Sequence, residues 1–232
     1  MNRSPTPPVP ARLVVLVRHA ESTWNAAGRW QGRADPPLSP AGLRQARTAA
    51  RLVAAHPPAR VVTSPLRRAA STARLLTAGR PGLRAVPDPD LAEYDAGAWT
   101  GLTRAEIEQR WPGTLARWDS GELEASPGGE PVEPYARRLL DAVRRAGGEG
   151  KGGRSWVLAV SHGRALHLLG RSLGAAPVTI GHLHGWAVEV GDPPGSAVPA
   201  LRLVGPVGPG RGLPPARKGT GGDAPAPLRS GG

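Results

Sequence analysis

An α/β fold built on a parallel sheet is what this sequence predicts, and three features predict it. Two continuous apolar runs, Leu13-Val14-Val15-Leu16-Val17 and Trp156-Val157-Leu158-Ala159-Val160, read as strands buried on both faces. Between strands lie segments with apolar residues at helical spacing. From the first run onward the order is strand, helix, strand, helix, which right-handed crossovers turn into a parallel layer. A chain of 232 residues, 39% hydrophobic and 21% charged, can bury one core of this kind.

Residues 1–11, rich in proline, are expected to be a flexible lead, followed by a domain over 12–204. After the first strand, Ala26–Leu38 is a polar loop with Gly28, Gly32 and Pro36-Pro37. Ser39 is placed as an N-cap and Pro40 at the first helical position, opening a helix through Leu43, Ala46, Ala50 and Val53 to about Ala55. A short strand at Arg60–Thr63 follows, and Ser64-Pro65 repeats the cap-plus-proline start of a helix through Leu66, Ala69, Ala73 and Leu76. A short strand at Leu83–Val86 and a turn-rich segment at Leu91–Gly101 come next. Thr103 and Glu106 form a capping box for a helix to Arg110. Pro112–Glu130 reads as irregular, Glu133–Arg145 as helix and Gly147–Gly153 as a glycine-rich connector. After the strand Trp156–Ser161, a helix runs through Leu166, Leu169 and Leu173, and short strands at Trp186–Val190 and Leu201–Val204 complete the sheet. From Gly205 glycine and proline dominate, so 205–232 reads as a disordered tail.

Composition narrows the chemistry. With no cysteine, disulfides, thiolate metal sites and cysteine nucleophiles are excluded. No His-Glu-x-x-His pair occurs, and no metal or other cofactor is expected. The first apolar run meets Arg18 after five residues, too soon for a signal-peptide core or membrane span, so a cytoplasmic protein without a membrane partner is expected. The net charge of +12 reads first as solvation by an arginine-rich composition; nucleic acid, an acidic membrane surface or a small anionic substrate would also fit it, and it is only weak support for an anionic ligand. Basic and aromatic residues are not interleaved, which argues against a nucleic-acid partner.

The chemistry-bearing residues cluster at strand ends. Arg18 and His19 follow the first strand directly, His162-Gly163 follows Ser161, and Arg68 lies in the first turn of the second long helix. Ligands in open α/β sheets sit beyond the carboxyl ends of strands. Helix N-termini and arginine forks both favour phosphate.

Arg18-His19-Ala20-Glu21-Ser22-Thr23-Trp24-Asn25 resembles the Arg-His-Gly signature of the histidine phosphatase superfamily, the phosphoglycerate mutase-like fold. The similarity continues through Gln31-Gly32, Asp35, Pro37-Leu38-Ser39 and Gly42, then Ser64-x-Leu66-x-Arg68-Ala69 with Thr72-Ala73. Leu91-x-Glu93, Gly97-x-Trp99-x-Gly101, Gly128-Gly129-Glu130 and Ser161-His162-Gly163 extend it in the family's order. The resemblance implies a three-layer sandwich, with a mostly parallel central sheet and helices on both faces. It further implies that His19 attacks the phosphorus of a monoester and carries it as a phosphohistidine. Arg18, Arg68 and His162 would hold the phosphoryl oxygens, with Asn25, Gln31 and the Gly163 backbone adding contacts. Glu93 would protonate the leaving alkoxide and then activate water. The partner so implied is a small phosphorylated substrate, handled by a monomer or homodimer.

Three positions depart from or complicate that pattern. Ala20 stands where the family usually has glycine, Pro131 replaces a polar residue after Gly-Gly-Glu, and Arg67 precedes Arg68, which the family spacing selects. Of the remaining histidines, His56 reads as an exposed helix end, His167 as a packing residue, and His184 as the better candidate for a pocket contact. Trp24, Trp30 and Trp99 fit either the pocket mouth or the core, and the other four tryptophans read as structural. The short span from Glu93 to His162 matches the compact phosphatases of the family, so a metal-independent phosphomonoesterase is expected. A 2,3-bisphosphoglycerate-dependent phosphoglycerate mutase is the alternative.

Overall fold

The computed structural model describes residues 12–148, 156–191 and 198–210. Six strands form one sheet: β1 (Arg12–Arg18), β2 (Arg60–Thr63), β3 (Ala85–Pro87), β4 (Trp156–Ser161), β5 (Gly185–Gly191) and β6 (Ala200–Val207). Their order is β3-β2-β4-β1-β5-β6; β3, β2, β4 and β1 are parallel, and β5 and β6 continue the sheet antiparallel. The helices are α1 (Thr23–Ala26), α2 (Pro40–Ala55), α3 (Arg67–Leu76), α4 (Arg104–Arg110), α5 (Thr114–Ser120), α6 (Val132–Gly148) and α7 (Gly163–Ser172).

The two apolar runs are the two central parallel strands. Alternate side chains of β1 serve opposite layers, as a period of two requires. Val15 and Val17 pack with Ala46, Ala49 and Val53 of α2 and with Ala69, Ala73 and Leu76 of α3. Val14 and Leu16 pack with Leu139, Ala142 and Val143 of α6 and with Ala165, Leu166 and Leu169 of α7. Helices therefore cover both faces, the three-layer arrangement that the family resemblance implies.

Register does the rest. Arg18 of β1 lies opposite Ser161 of β4, so the next residues, His19 and His162, leave neighbouring strands at the same level. The His19 amide donates to the Ser161 carbonyl at 2.9 Å and extends that pairing by one step. Two histidines far apart in sequence are adjacent because two buried strands are aligned.

Local signals set most element ends. Ser39 Oγ accepts the Gly42 amide at 2.9 Å, with Pro40 at the first helical position of α2. Thr103 and Glu106 make both bonds of the capping box on α4. Four readings need correction. α3 begins at Arg67 with Leu66 as its cap residue, and Ser64 supplies no helix cap. α5 lies inside the segment read as irregular, between Gly113 and Gly121, both left-handed. Its seven residues bury only Leu115 and Trp118, too few to register as a periodicity. Gly147 belongs to α6, where a Cβ would meet Val190 Cγ2 at 2.5 Å. Finally, β6 runs through Val207, so Gly205–Val207 are strand and not tail. The flexible lead expected over 1–11, the connector from 149 and the tail from 211 lie outside the described residues.

Candidate active site

His19 and His162 are buried, with ring centroids 5.2 Å apart and planes at 63°. Nδ1 of His19 lies 2.7 Å from the Ala20 carbonyl. A carbonyl can only accept, so Nδ1 carries the proton and Nε2 keeps the lone pair. Nε2 of His162 lies 2.7 Å from Ser64 Oγ, which already accepts the Leu66 amide at 3.2 Å. Ser64 is wholly buried and the described residues give its hydroxyl proton no acceptor but that Nε2, which leaves His162 Nδ1 as an N–H donor, buried and without a protein partner.

Two guanidinium groups complete the floor. Arg68 is wholly buried; its two terminal nitrogens donate to Ala34 O at 2.7 Å and Gly32 O at 2.9 Å. Gly32 turns that carbonyl inward from a φ of +50°, where a Cβ would stand 2.8 Å from Ala96 N. Arg18 donates through a terminal nitrogen to Ile180 O at 2.8 Å. The Nε atoms of both arginines are buried and unbonded. Arg18 lies along the start of α7, where a Cβ on Gly163 would come within 3.3 Å of its Nε. No side chain caps α7, so its first amides are also open to an anion.

Above this floor is a cavity of about 660 Å³, whose wall includes Arg18, His19, Asn25, Gln31, Glu93 and Gly163. The Ser22 amide donates to Asn25 Oδ1 at 3.1 Å, and its hydroxyl to Gln31 Oε1 at 2.7 Å. Both amide oxygens being engaged, the side-chain NH2 groups remain as donors. Glu93 Oε1 accepts from the Tyr94 amide and the Tyr135 hydroxyl, each at 2.9 Å, leaving Oε2 to exchange protons. Burial, then the nearby Glu93, pushes the Tyr135 hydroxyl well up, so it stays a donor. Arg138 braces the Glu93 loop by donating to the Asp90 and Ala92 carbonyls, and is held by Glu130 at 2.8 Å. The glutamate of Gly128-Gly129-Glu130 is thus tied to Arg138.

Burial, then the positive charge of Arg68, holds both His19 and His162 well below the usual imidazole range. Both rings are therefore uncharged at neutral pH. An unfolded chain protonates these rings near pH 6.5 and the folded one resists it. Their contribution to stability is whole above that pH and is lost as pH falls toward the lower folded values. The acidic limb of kcat/KM is likewise expected below pH 6.5. An acidic limb at or above 6.5 would show that His19 titrates like a free imidazole.

All eight residues singled out from the sequence meet here: Arg18, His19, Arg68 and His162 make the floor, and Asn25, Gln31, Glu93 and Gly163 line the cavity above it. Arg67 is exposed, its amide held by Asp35 Oδ1 at 2.6 Å, so spacing selected the right arginine. His56 is exposed at the end of α2, as expected. Two histidine readings change. His167 lines the cavity, whereas His184 packs against Gly208 and is absent from the wall. It is His182 that approaches His19, donating from Nδ1 to the His19 carbonyl at 3.1 Å. Leu183, the one described non-glycine residue with positive φ (62°), makes that turn, a conformation no sequence signal announces. Trp30 lines the cavity, whereas Trp99 is buried in the core. Ser64, Tyr135 and Arg164 are further site residues the sequence did not single out. A Ser-Pro pair reads first as a helix start, and an isolated tyrosine in a helix reads as core.

A doubly covered α/β sheet with two uncharged imidazoles and two guanidinium groups at neighbouring strand ends defines a phosphate-handling protein. Residues 14–188 match the family model of the histidine phosphatase superfamily (branch 1), and the chain belongs to that superfamily. It is 36% identical over 159 residues to a metal-independent phosphoserine phosphatase of Arabidopsis thaliana, covering 67% of this chain and 66% of that protein. It is 35% identical over 175 residues to a glucosyl-3-phosphoglycerate phosphatase of Mycobacterium tuberculosis, covering 72% of this chain and 78% of the relative. The chain thus spans just under two thirds of the plant protein and most of the mycobacterial one. A mycobacterial glucosyl-3-phosphoglycerate phosphatase solved with VO3 superposes with a TM-score of 0.68 at 31% identity, covering 83% of this chain and 97% of that one.

Proposed function

We propose that this protein is a metal-independent phosphomonoesterase that hydrolyses small phosphate esters through a phosphohistidine. The observation that carries this reading is the bare Nε2 of His19 beside three buried, unpartnered N–H groups, those of Arg18 Nε, Arg68 Nε and His162 Nδ1. Nε2 attacks phosphorus, and the bond from phosphorus to the ester oxygen breaks. Arg18, Arg68 and His162 stabilise the charge on the transferring group, with Asn25, Gln31 and the Gly163 amide as further donors. Glu93 gives its proton to the leaving oxygen, then takes one from the water that breaks the phosphorus–nitrogen bond. Phosphate leaves and His19 is restored.

The phosphatase names of the relatives, and the short span between Glu93 and His162, support hydrolysis over phosphoryl return to a bound product. A cytoplasmic monomer or homodimer is part of the same reading. Among the described residues no helix is long and apolar enough to cross a membrane, and no cluster of three His, Asp or Glu is placed to hold a metal ion. Inorganic phosphate is expected from p-nitrophenyl phosphate and sugar phosphates without 2,3-bisphosphoglycerate, at a rate unchanged by EDTA. Loss of activity on chelation, restored by added metal, would overturn the metal-free reading. A strict requirement for the bisphosphate would favour the mutase.

A further inference from the structure

Arg164, the second residue of α7, stands on the cavity wall, where Trp118, Glu93 and Tyr94 are its neighbours. Its guanidinium carbon sits 4.1 Å from the centroid of the Trp118 ring. Trp118 is itself locked in the core, edge-on to Trp99 with centroids 5.3 Å apart and tilted against Tyr94 at 5.1 Å. The arginine head therefore lies on a rigid platform, and stacking leaves its N–H edge free for planar, two-pronged contact with an anion.

The other cations on this wall are committed, two to carboxylates and one to the phosphate floor. Arg29 donates to Gly101 O and pairs with Glu106 at 3.2 Å, and Arg104 pairs with Asp119. Arg18 spends one terminal nitrogen on Ile180 O and lies beside the two histidines. Arg164 has no ion pair among the described residues, and its Nε is buried without any hydrogen-bond partner. A cation taken partly out of water with no partner is costly, and such a group is retained where a ligand completes it. One turn along, His167 lines the same cavity, kept uncharged by burial and by Arg164 itself, so it adds no competing charge.

We propose that Arg164 on its Trp118 platform is a second anion subsite, reading a carboxylate or a second phosphate on the leaving group. The preferred substrates are then phosphate monoesters that bear another anionic group, and Arg164 is a specificity-determining residue. This rests on the phosphomonoesterase reading. The competing role is a counter-ion for Glu93, whose charge Arg164 feels. That role would act on every substrate alike.

The test compares kcat/KM for esters matched in length and differing in charge: phosphoglycolate against ethyl phosphate, and ethylene glycol bisphosphate against 2-hydroxyethyl phosphate. Wild type, Arg164→Met and Arg164→Lys are measured on each pair. Wild type is expected to prefer at least one anionic member. Arg164→Met should cut that preference roughly tenfold to a hundredfold, the worth of a charge-assisted contact, and Arg164→Lys should keep part of it. Which pair responds tells carboxylate from phosphate. An equal loss on charged and neutral esters, or no wild-type preference in either pair, overturns the subsite. If wild type releases no phosphate from any ester, the phosphatase reading fails and takes the subsite with it.

Discussion

Replacing His19 with alanine is expected to lower phosphate release from any ester by at least about a thousandfold, while the protein stays folded. Among the described residues no other group is placed to take over the attack. His162 is the nearest imidazole, with its ring centroid 5.2 Å away, but its Nε2 is engaged by Ser64 and its Nδ1 is assigned as a donor. His182 commits Nδ1 to the His19 carbonyl and is turned by a different loop. The scaffold does not depend on the His19 ring. The pairing of β1 with β4 and the two core layers are built from Val14 to Val17 and their partners, and the ring's own bond is to the adjacent carbonyl. The melting temperature and far-ultraviolet circular dichroism should therefore stay close to wild type. Radiolabelled phosphate should be trapped on the wild-type protein in acid-labile, alkali-stable form and be absent from the variant. Near-normal turnover in a folded His19→Ala protein would rule out the covalent route.

Much of this site could be read from the chain because its parts are joined by simple rules. Strands buried on both faces announce themselves as unbroken apolar runs, and chemistry-bearing residues that directly follow such runs fall on one edge of the sheet. That reasoning reached Arg18, His19 and His162 with no coordinates. Arg68 is singled out by its place in the first turn of a helix and separated from Arg67 by the family spacing, whereas Glu93, Asn25 and Gln31 come from the resemblance, because nothing in local periodicity marks a site carboxylate or amide. What stayed hidden depends on tertiary contact. Ser64 could be assigned to a helix cap or to a histidine, and only the start of α3 at Arg67 decides between them. Tyr135 looks like any core aromatic of an amphipathic helix until its hydroxyl is found on Glu93. His182 and His184 are separated by one residue, and the left-handed Leu183 between them determines which one approaches the nucleophile.

Glu93→Gln is expected to separate the two chemical steps. Glutamine keeps an oxygen that can accept the Tyr94 amide and Tyr135 hydroxyl, so the side chain should hold its place and the fold its stability. What it loses is a transferable proton. Alkyl phosphates leave as strongly basic alkoxides and need that proton, so their cleavage should fall by about a hundredfold to ten-thousandfold, the usual worth of general acid–base catalysis. p-Nitrophenolate leaves readily as an anion, so transfer from its ester to His19 should be slowed far less. Hydrolysis of the phosphohistidine then lacks its base whichever ester supplied the phosphoryl group. Mixing the variant rapidly with p-nitrophenyl phosphate should release a burst of nitrophenolate approaching one per active site, followed by slow turnover, with labelled phosphate accumulating on the protein. Alkyl esters should give no burst. Equal slowing of both ester classes, without accumulated phosphoprotein, would remove Glu93 from the acid–base role. The proton would then have to come from another group on the wall.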